Sequence, residues 1–359
     1  MANDVLTRGK SYLRIPRNDT PARAGYIPPR TSAPTPNAMT TKRLKFLARP
    51  SRGAVSEYPI IAMQRALESA GVPAVYNARS RPIKLFARAL ARAGLMRRIA
   101  DLSDSAYFVP IMLLSEARLF PKCYFAETIV YAFDCWPALY GRWENFFRRH
   151  RMRLAFFSAR QSAEHFQKAL PAMESIWLPE AVEASTYDGH KPIENRSIDV
   201  LELGRRSDAY HDKIVAPLAN SGRVHRFQSA PGEIIFPTAE ALVAGFGDAK
   251  ISICFPSSMT HPQRSGHVET ATHRYFESFA SGCIIIGHAP KELVDLFGYN
   301  PVIEADMNDA IGQLDSILSN PAAHADLIAR NRQRLMEVGT WDARVTTLLE
   351  LLAARGYTV

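Results

Sequence analysis

The chain has 359 residues, 47% of them apolar and 22% charged, with a formal net charge of +9. That length exceeds the roughly 250–300 residues at which a single core stops growing, and the composition is that of a soluble globular protein. Runs of about 18 uncharged apolar residues are absent, which excludes a membrane-spanning helix, and the N-terminus lacks the apolar core of a secretory signal. The positive balance favours phosphorylated small molecules or an acidic membrane surface, and without a basic-aromatic module no nucleic-acid partner is expected.

Residues 1–38 carry Pro16, Pro21, Pro28, Pro29, Pro34 and Pro36 among Thr, Ser, Arg and Asn. This is the composition of a disordered basic tail, with a start at Met39 as the plainer alternative. From Leu44 strands and helices alternate. Residues 44–48 read as a strand closed by a turn at 50–53, and Ile60, Ile61, Met63, Leu67 and Ala70 recur at helical spacing up to Gly71. Apolar runs at 107–114, 128–133 and 154–158 have strand length, and helices are expected at 82–100, 138–151 and 160–169. Such alternation builds parallel sheets from βαβ units. A first Rossmann-like domain is therefore expected over 39–182, followed by a polar, aperiodic linker at 183–197.

Alternation then restarts. Strands are expected at 198–203, 223–227, 250–255 and 283–287, with helices at 210–220, 238–247, 268–281 and 291–297 between and after them. Helices at 307–319, 321–337 and 341–355 close the chain, giving a second domain over 198–339 and a C-terminal segment at 340–359. Cys123, Cys135, Cys254 and Cys283 sit among apolar neighbours without zinc-ligand spacing. Reduced, buried thiols in a cytoplasmic protein are expected, and no structural zinc.

Three stretches of the second array carry the polar chemistry. The strand from Ile198 ends in Gly204-Arg205-Arg206, with Lys213 in the following helix. A strand, a glycine turn and a helix opening set N–H groups and cations where a phosphate sits, although an ordinary βα turn with solvated arginines has the same pattern. The loop after Cys254 offers Ser257, Ser258, Thr260, His261, Arg264 and Gly266, a set suited to a phosphate or a sugar, or simply a polar loop. Finally, Glu269, His273 and Glu277 fall at successive helical turns ahead of Gly282 and a buried strand. A carboxylate accepts two hydrogen bonds from adjacent hydroxyls, as a ribose or hexose diol presents them.

Glu269 and Glu277, with seven residues between them, followed by Ser-Phe-Ala-Ser-Gly282 and an apolar strand, resemble the E-x7-E region of retaining GT-B glycosyltransferases. Arg274, Glu277 and Gly282 also resemble that family's R-x-x-E-x-x-x-x-G string. Trp177-Leu-Pro-Glu-Ala resembles the segment joining the two domains, and Thr340-Trp-Asp the start of a helix that crosses back onto the first. The resemblance is strongest over 198–345 and implies a GT-B fold: two α/β, Rossmann-like domains facing a cleft. It implies that Glu277 binds the nucleotide ribose and Glu269 faces the donor sugar. Arg205 and Lys213 would neutralise the departing diphosphate in place of a metal, with Gly204, Arg274 and the 257–266 loop around the donor.

On the acceptor side, Gly53 matches a glycine-rich first βα loop, and Asp134 with Trp136 follows a strand into the cleft; a helix N-cap is the alternative role of Asp134. Transfer of a sugar from a nucleoside diphosphate sugar is expected, with retention and with neither cofactor nor metal, since no Asp-x-Asp motif sits at a strand end. Acceptors of carbohydrate, lipid-linked or small-molecule type remain open. Lys84, Arg88 and Arg92 form a basic stripe opposite Ile83, Phe86 and Leu90, which fits an anionic inner membrane face as well as a solvated helix. A GT-B epimerase and a catalytically silent sugar-nucleotide scaffold are the rival readings.

Overall fold

The computed structural model describes residues 41–51, 57–77, 80–230 and 232–359. The tail at 1–38 and Gly53 lie outside them.

The first array runs β1 (Lys42–Ala48), α1 (Tyr58–Ser69), β2 (Ala74–Tyr76), α2 (Arg81–Arg92), β3 (Ser105–Met112), β4 (Glu127–Phe133), α3 (Tyr140–Arg149), β5 (Leu154–Phe157), α4 (Arg160–Ala169) and β6 (Glu174–Trp177). The second opens with β7 (Ile198–Leu201), α5 (Asp208–Asn220), β8 (His225–Arg226), α6 (Ala239–Gly247) and β9 (Ala249–Cys254). Two short turns of helix follow, α7 (Ser257–Thr260) and α8 (Pro262–Ser265), then α9 (His273–Ala280), β10 (Ile284–Gly287), α10 (Lys291–Phe297) and β11 (Ile303–Glu304). Helices α11 (Ala310–Ser319), α12 (Ala325–Val338) and α13 (Trp341–Ala353) lead to β12 (Tyr357–Thr358).

Both sheets are parallel. One has the order β12-β1-β3-β4-β5-β6, with β2 also on β1, and the other has the order β11-β10-β9-β7-β8. Helices cover both faces, so central strands bury both sides: every residue of β4 and of β7 is buried, Glu127 and Asp199 included. β2, β11 and β12 are two or three residues long, too short for a period to show.

Two helices depart from expectation. α2 stops at Arg92 rather than near 100, because Gly94 takes a left-handed φ of 67° and turns the chain away. α9 begins at His273, not 268, so Glu269 precedes the helix and shares no face with Glu277. At its other end Gly282 (φ 64°) terminates α9. There the buried Arg196 donates to the carbonyls of Ser281 (2.8 Å), Gly282 (3.1 Å) and Ala249 (2.8 Å), placing a cation at the negative end of the helix. The polar 183–197 segment is thus packed against the second sheet, with Tyr187 and Ile193 also buried.

The chain passes between the sheets twice at one spot. The Val182 N–H donates to Gly339 O (3.0 Å) and the Trp341 N–H to Val182 O (3.1 Å), forming a parallel bridge between Val182 and Thr340. Beyond it α13 lays Trp341, Val345, Leu348 and Leu352 into the core of the first domain with Ile60, Met63 and Leu67 of α1, and β12 pairs with Lys42 and Arg43. Leu348 is 1% exposed. Leu348→Ala is expected to lower stability by about 2–5 kcal/mol, read as a lower midpoint of chemical denaturation.

Candidate functional site

In open parallel sheets, ligands bind beyond the carboxyl ends of the strands. Here those ends of β3 and β4 and of β7 and β9 open on a shared cavity of about 600 Å³. Its wall includes Met112, Asp134, Trp136 and Glu180 from the first domain, and Gly204, Arg205, Cys254, His273, Arg274 and Glu277 from the second. A cavity of about 840 Å³ lies beside it, along α1, residues 186–191 and α6; Tyr187 lines it. It touches none of the β3, β4, β7 or β9 ends and lacks their convergent charges, so the smaller cavity is the better site.

Asp134 is the first residue after β4 and sits at φ 51°. That left-handed conformation is uncommon outside glycine and is tolerated best by Asp and Asn; held at the end of a core strand, it marks a position where aim outweighs local strain. Its carboxylate lies 3.3 Å from the Arg205 guanidinium, which also stands 5.4 Å from the Trp136 ring centroid. Trp136 is 2% exposed, and its indole N–H is enclosed without a partner. Arg205 follows Gly204, whose φ of 85° suits glycine; a Cβ there would stand 3.4 Å from Arg274 Nε. Arg274 in turn pairs with Glu277, whose other oxygen accepts from the Tyr187 hydroxyl at 3.1 Å. His273 Nε2 lies 3.5 Å from the same oxygen, and desolvation pushes the imidazole's pKa down.

Sequence reasoning missed Glu180. It follows β6 in the Trp-Leu-Pro-Glu string, and its carboxylate accepts from the His273 N–H at the start of α9. Desolvation first, then the Asp134 charge, pushes its pKa up to about 8 despite Arg205 and that N–H. No periodicity marks it, because it lies on the segment between domains and its neighbours come from both.

Other expected residues lie elsewhere. Lys213 is exposed on α5, away from the cavity wall, because its position on the helix turns it to solvent. Ser257 and Ser258 lie on α7 and Arg264 on α8, with His261 between the two helices and Gly266 just after; a Cβ on Gly266 would stand 3.4 Å from Pro137 of the first domain. None of them lines the cavity. Glu269 also stands off it, 3.6 Å from His288 Nε2, with its own N–H donated to Gln161 Oε1 of α4 at 2.7 Å. Of the expected residues, the cavity brings together Asp134, Trp136, Gly204, Arg205, Arg274 and Glu277.

Residues 233–350 match the glycosyl transferase-like family model. An alpha-glucosyltransferase, solved with UDP and a 13-mer DNA containing an HMU base, superposes with a TM-score of 0.53 at 10% identity, covering 88% of this chain and 99% of that one. Anabaena HepE, solved with UDP-glucose, gives a TM-score of 0.52 at 10% identity, with 87% and 99% covered. No curated protein matches the chain significantly. The fold is therefore GT-B, as the resemblance implies.

A proton on Glu180 has a measurable consequence. Between the free value of 4.5 and about 8 the folded chain keeps a proton that the unfolded chain has lost, so this group's contribution to stability falls as pH rises through that window. Glu180→Gln stays neutral throughout. Its melting midpoint is expected to gain on the wild type between about pH 5 and pH 9; a constant difference across that range would contradict a raised carboxyl pKa.

Proposed function

We propose that this GT-B chain transfers a sugar from a nucleoside diphosphate sugar to an acceptor held on the first-domain side of the cavity. The observation that carries the reading is the meeting of Gly204, Arg205, Arg274 and Glu277 at one cavity wall with Asp134 and Trp136 opposite. Breaking the bond between the anomeric carbon and the diphosphate leaves negative charge on phosphate oxygens. Arg205 and Arg274 are the cations at that wall, and Gly204 lets backbone approach the phosphates. Arg274 takes the part first expected of Lys213. Glu277 would accept the ribose hydroxyls once Tyr187 and Arg274 yield a share of its oxygens. The acceptor hydroxyl loses a proton as its oxygen bonds to the sugar; Asp134, when its pair with Arg205 loosens onto the diphosphate, is the carboxylate to take it. Retention at the anomeric carbon and independence of metal are the finer parts of the proposal, and the proton NMR spectrum of the product reads the first.

A screen of UDP-, GDP-, ADP- and TDP-sugars by melting midpoint tests the donor, with UDP-sugars first because both structural relatives are described with UDP. One donor is expected to raise the midpoint, since a ligand bound only by the folded state stabilises it. With that donor, Arg205→Ala is expected to lower turnover by about 10²-fold while the fold persists. No stabilisation by any nucleotide or nucleotide sugar would sink the reading, and donor binding without turnover would favour the scaffold.

The acceptor side is also proposed to meet an anionic lipid surface. α2 buries only Ala87, and it exposes Ile83, Leu85 and Phe86 (45%, 56% and 57%) beside Lys84, Arg88 and Arg92. Leu95, Ile99 and Leu102 continue the exposed apolar surface. A helix with apolar and cationic faces lies in a membrane interface, and none of the described helices is long and apolar enough to cross one. The chain is expected to sediment with vesicles containing phosphatidylserine and not with phosphatidylcholine alone. Leu85→Ser with Phe86→Ser is expected to release it, whereas unchanged sedimentation of that variant would refute the role of α2.

A further inference from the structure

A second polar cluster lies outside the cavity wall, where the same βα turn begins. Glu202 follows β7, His211 sits on α5 and His225 opens β8. Their side chains are 3%, 7% and 5% exposed. His211 Nδ1 stands 2.5 Å and His225 Nε2 3.0 Å from Glu202 Oε2. One nitrogen or oxygen from each residue falls within 4.8 Å of the others. Glu202 Oε1 and His225 Nδ1 are enclosed without any hydrogen-bond partner. Phe227 closes the site, its ring centroid 4.7 Å from one imidazole and 4.6 Å from the other.

This arrangement leaves a carboxylate oxygen and an imidazole nitrogen unanswered. Among the described residues the ion-pair partners of Glu202 are these two histidines. Both imidazoles stand against Glu202 Oε2, while Oε1 and His225 Nδ1 face the closed site with nothing to bind. A divalent cation would answer the unused carboxylate oxygen. Two imidazoles and one carboxylate are a ligand set for zinc, with a fourth, tetrahedral position for water. Such a site prefers zinc and its transition-metal neighbours to magnesium or calcium, which take mainly oxygen ligands.

We propose that Glu202, His211 and His225 bind a zinc-class divalent cation. Metal bonds of roughly 2.0–2.2 Å place tetrahedral ligands about 3.4 Å apart, so the His211–Glu202 contact opens by about 1 Å or Glu202 ligates through Oε1. The cation would tie β7, α5 and β8 together around Leu203, Gly204 and Arg205. It positions the turn that presents Arg205 and takes no part in bond breaking. The spacing escapes sequence reading because the ligands stand nine and fourteen residues apart along a strand, a helix and another strand, with no cysteine among them.

The test needs no sugar donor, so it is independent of the transfer reaction. Full-length protein stripped with chelator is titrated with zinc chloride against a chromophoric chelator, and separately with cobalt(II) chloride. One equivalent of zinc is expected to bind and raise the melting midpoint by several degrees, and cobalt is expected to give the intense visible bands of a four-coordinate site. His225→Ala and His211→Ala are expected to abolish both the shift and the bands. Should a variant fail to fold, Glu202→Gln and the wild-type cobalt spectrum still decide. Wild-type protein that takes up no zinc at about tenfold excess, or a folded His225→Ala that binds it as tightly, would overturn the proposal.

Discussion

The cleft depends on one electrostatic constraint: carboxylates and guanidiniums from different segments crowd into a partly dry space. Asp134, Glu180 and Glu277 face Arg205 and Arg274. Two cations balance two carboxylates, and the geometry assigns them: Asp134 to Arg205 and Glu277 to Arg274. The third carboxyl, Glu180, has only an α9 N–H and the more distant pull of Arg205, so it keeps its proton well above the usual carboxylate range. The ion pair between Asp134 and Arg205 spans the two domains, which couples this charge balance to the width of the cleft.

Two covalent crossings and one clasp set that width. Val182 and Thr340 lie side by side where the chain leaves the first domain and returns to it. On the other flank, the carboxylate of Glu292 on α10 accepts from the Arg160 N–H (2.8 Å), Thr270 Oγ1 (2.9 Å) and the Ala271 N–H (2.7 Å). Burial still pushes its pKa up to about 7. Arg160 also pairs with Asp295 at 2.5 Å, and Gln161 holds the Glu269 N–H. The segment that a longer α9 would have used for Glu269 is thus drawn out to fasten α4. Glu269 leaves the helix because its backbone is needed by the other domain.

The legible part of the fold is the part that buries long elements on both sides. β3, β4 and β5 stand out as apolar runs, and Gly282 marks the end of α9. Glu277 was readable because it lies inside a helix, where spacing to Arg274 and Gly282 is rigid. Residues on connecting segments were not. Glu180 owes its raised pKa first to burial between segments and then to Asp134, which is distant in sequence, and Ser257 and Ser258 carry hydroxyls suited to a sugar although α7 stands off the cavity wall. Lys213 shows the same limit: its charge suited a phosphate, but the orientation of α5 sends it to solvent. Composition identifies which groups can do chemistry, while the sheet order decides which of them meet.

The double crossing at Val182 and Thr340 has a consequence for biosynthesis. The first domain is discontinuous: α13 and β12, which complete its core and cover an edge of β1, are translated only after the entire second sheet. Until residues 341–358 emerge, the apolar side of α1 lacks Trp341, Val345, Leu348 and Leu352. The second domain can close on the ribosome first, while the nascent first domain carries an open flank of the kind that chaperones bind.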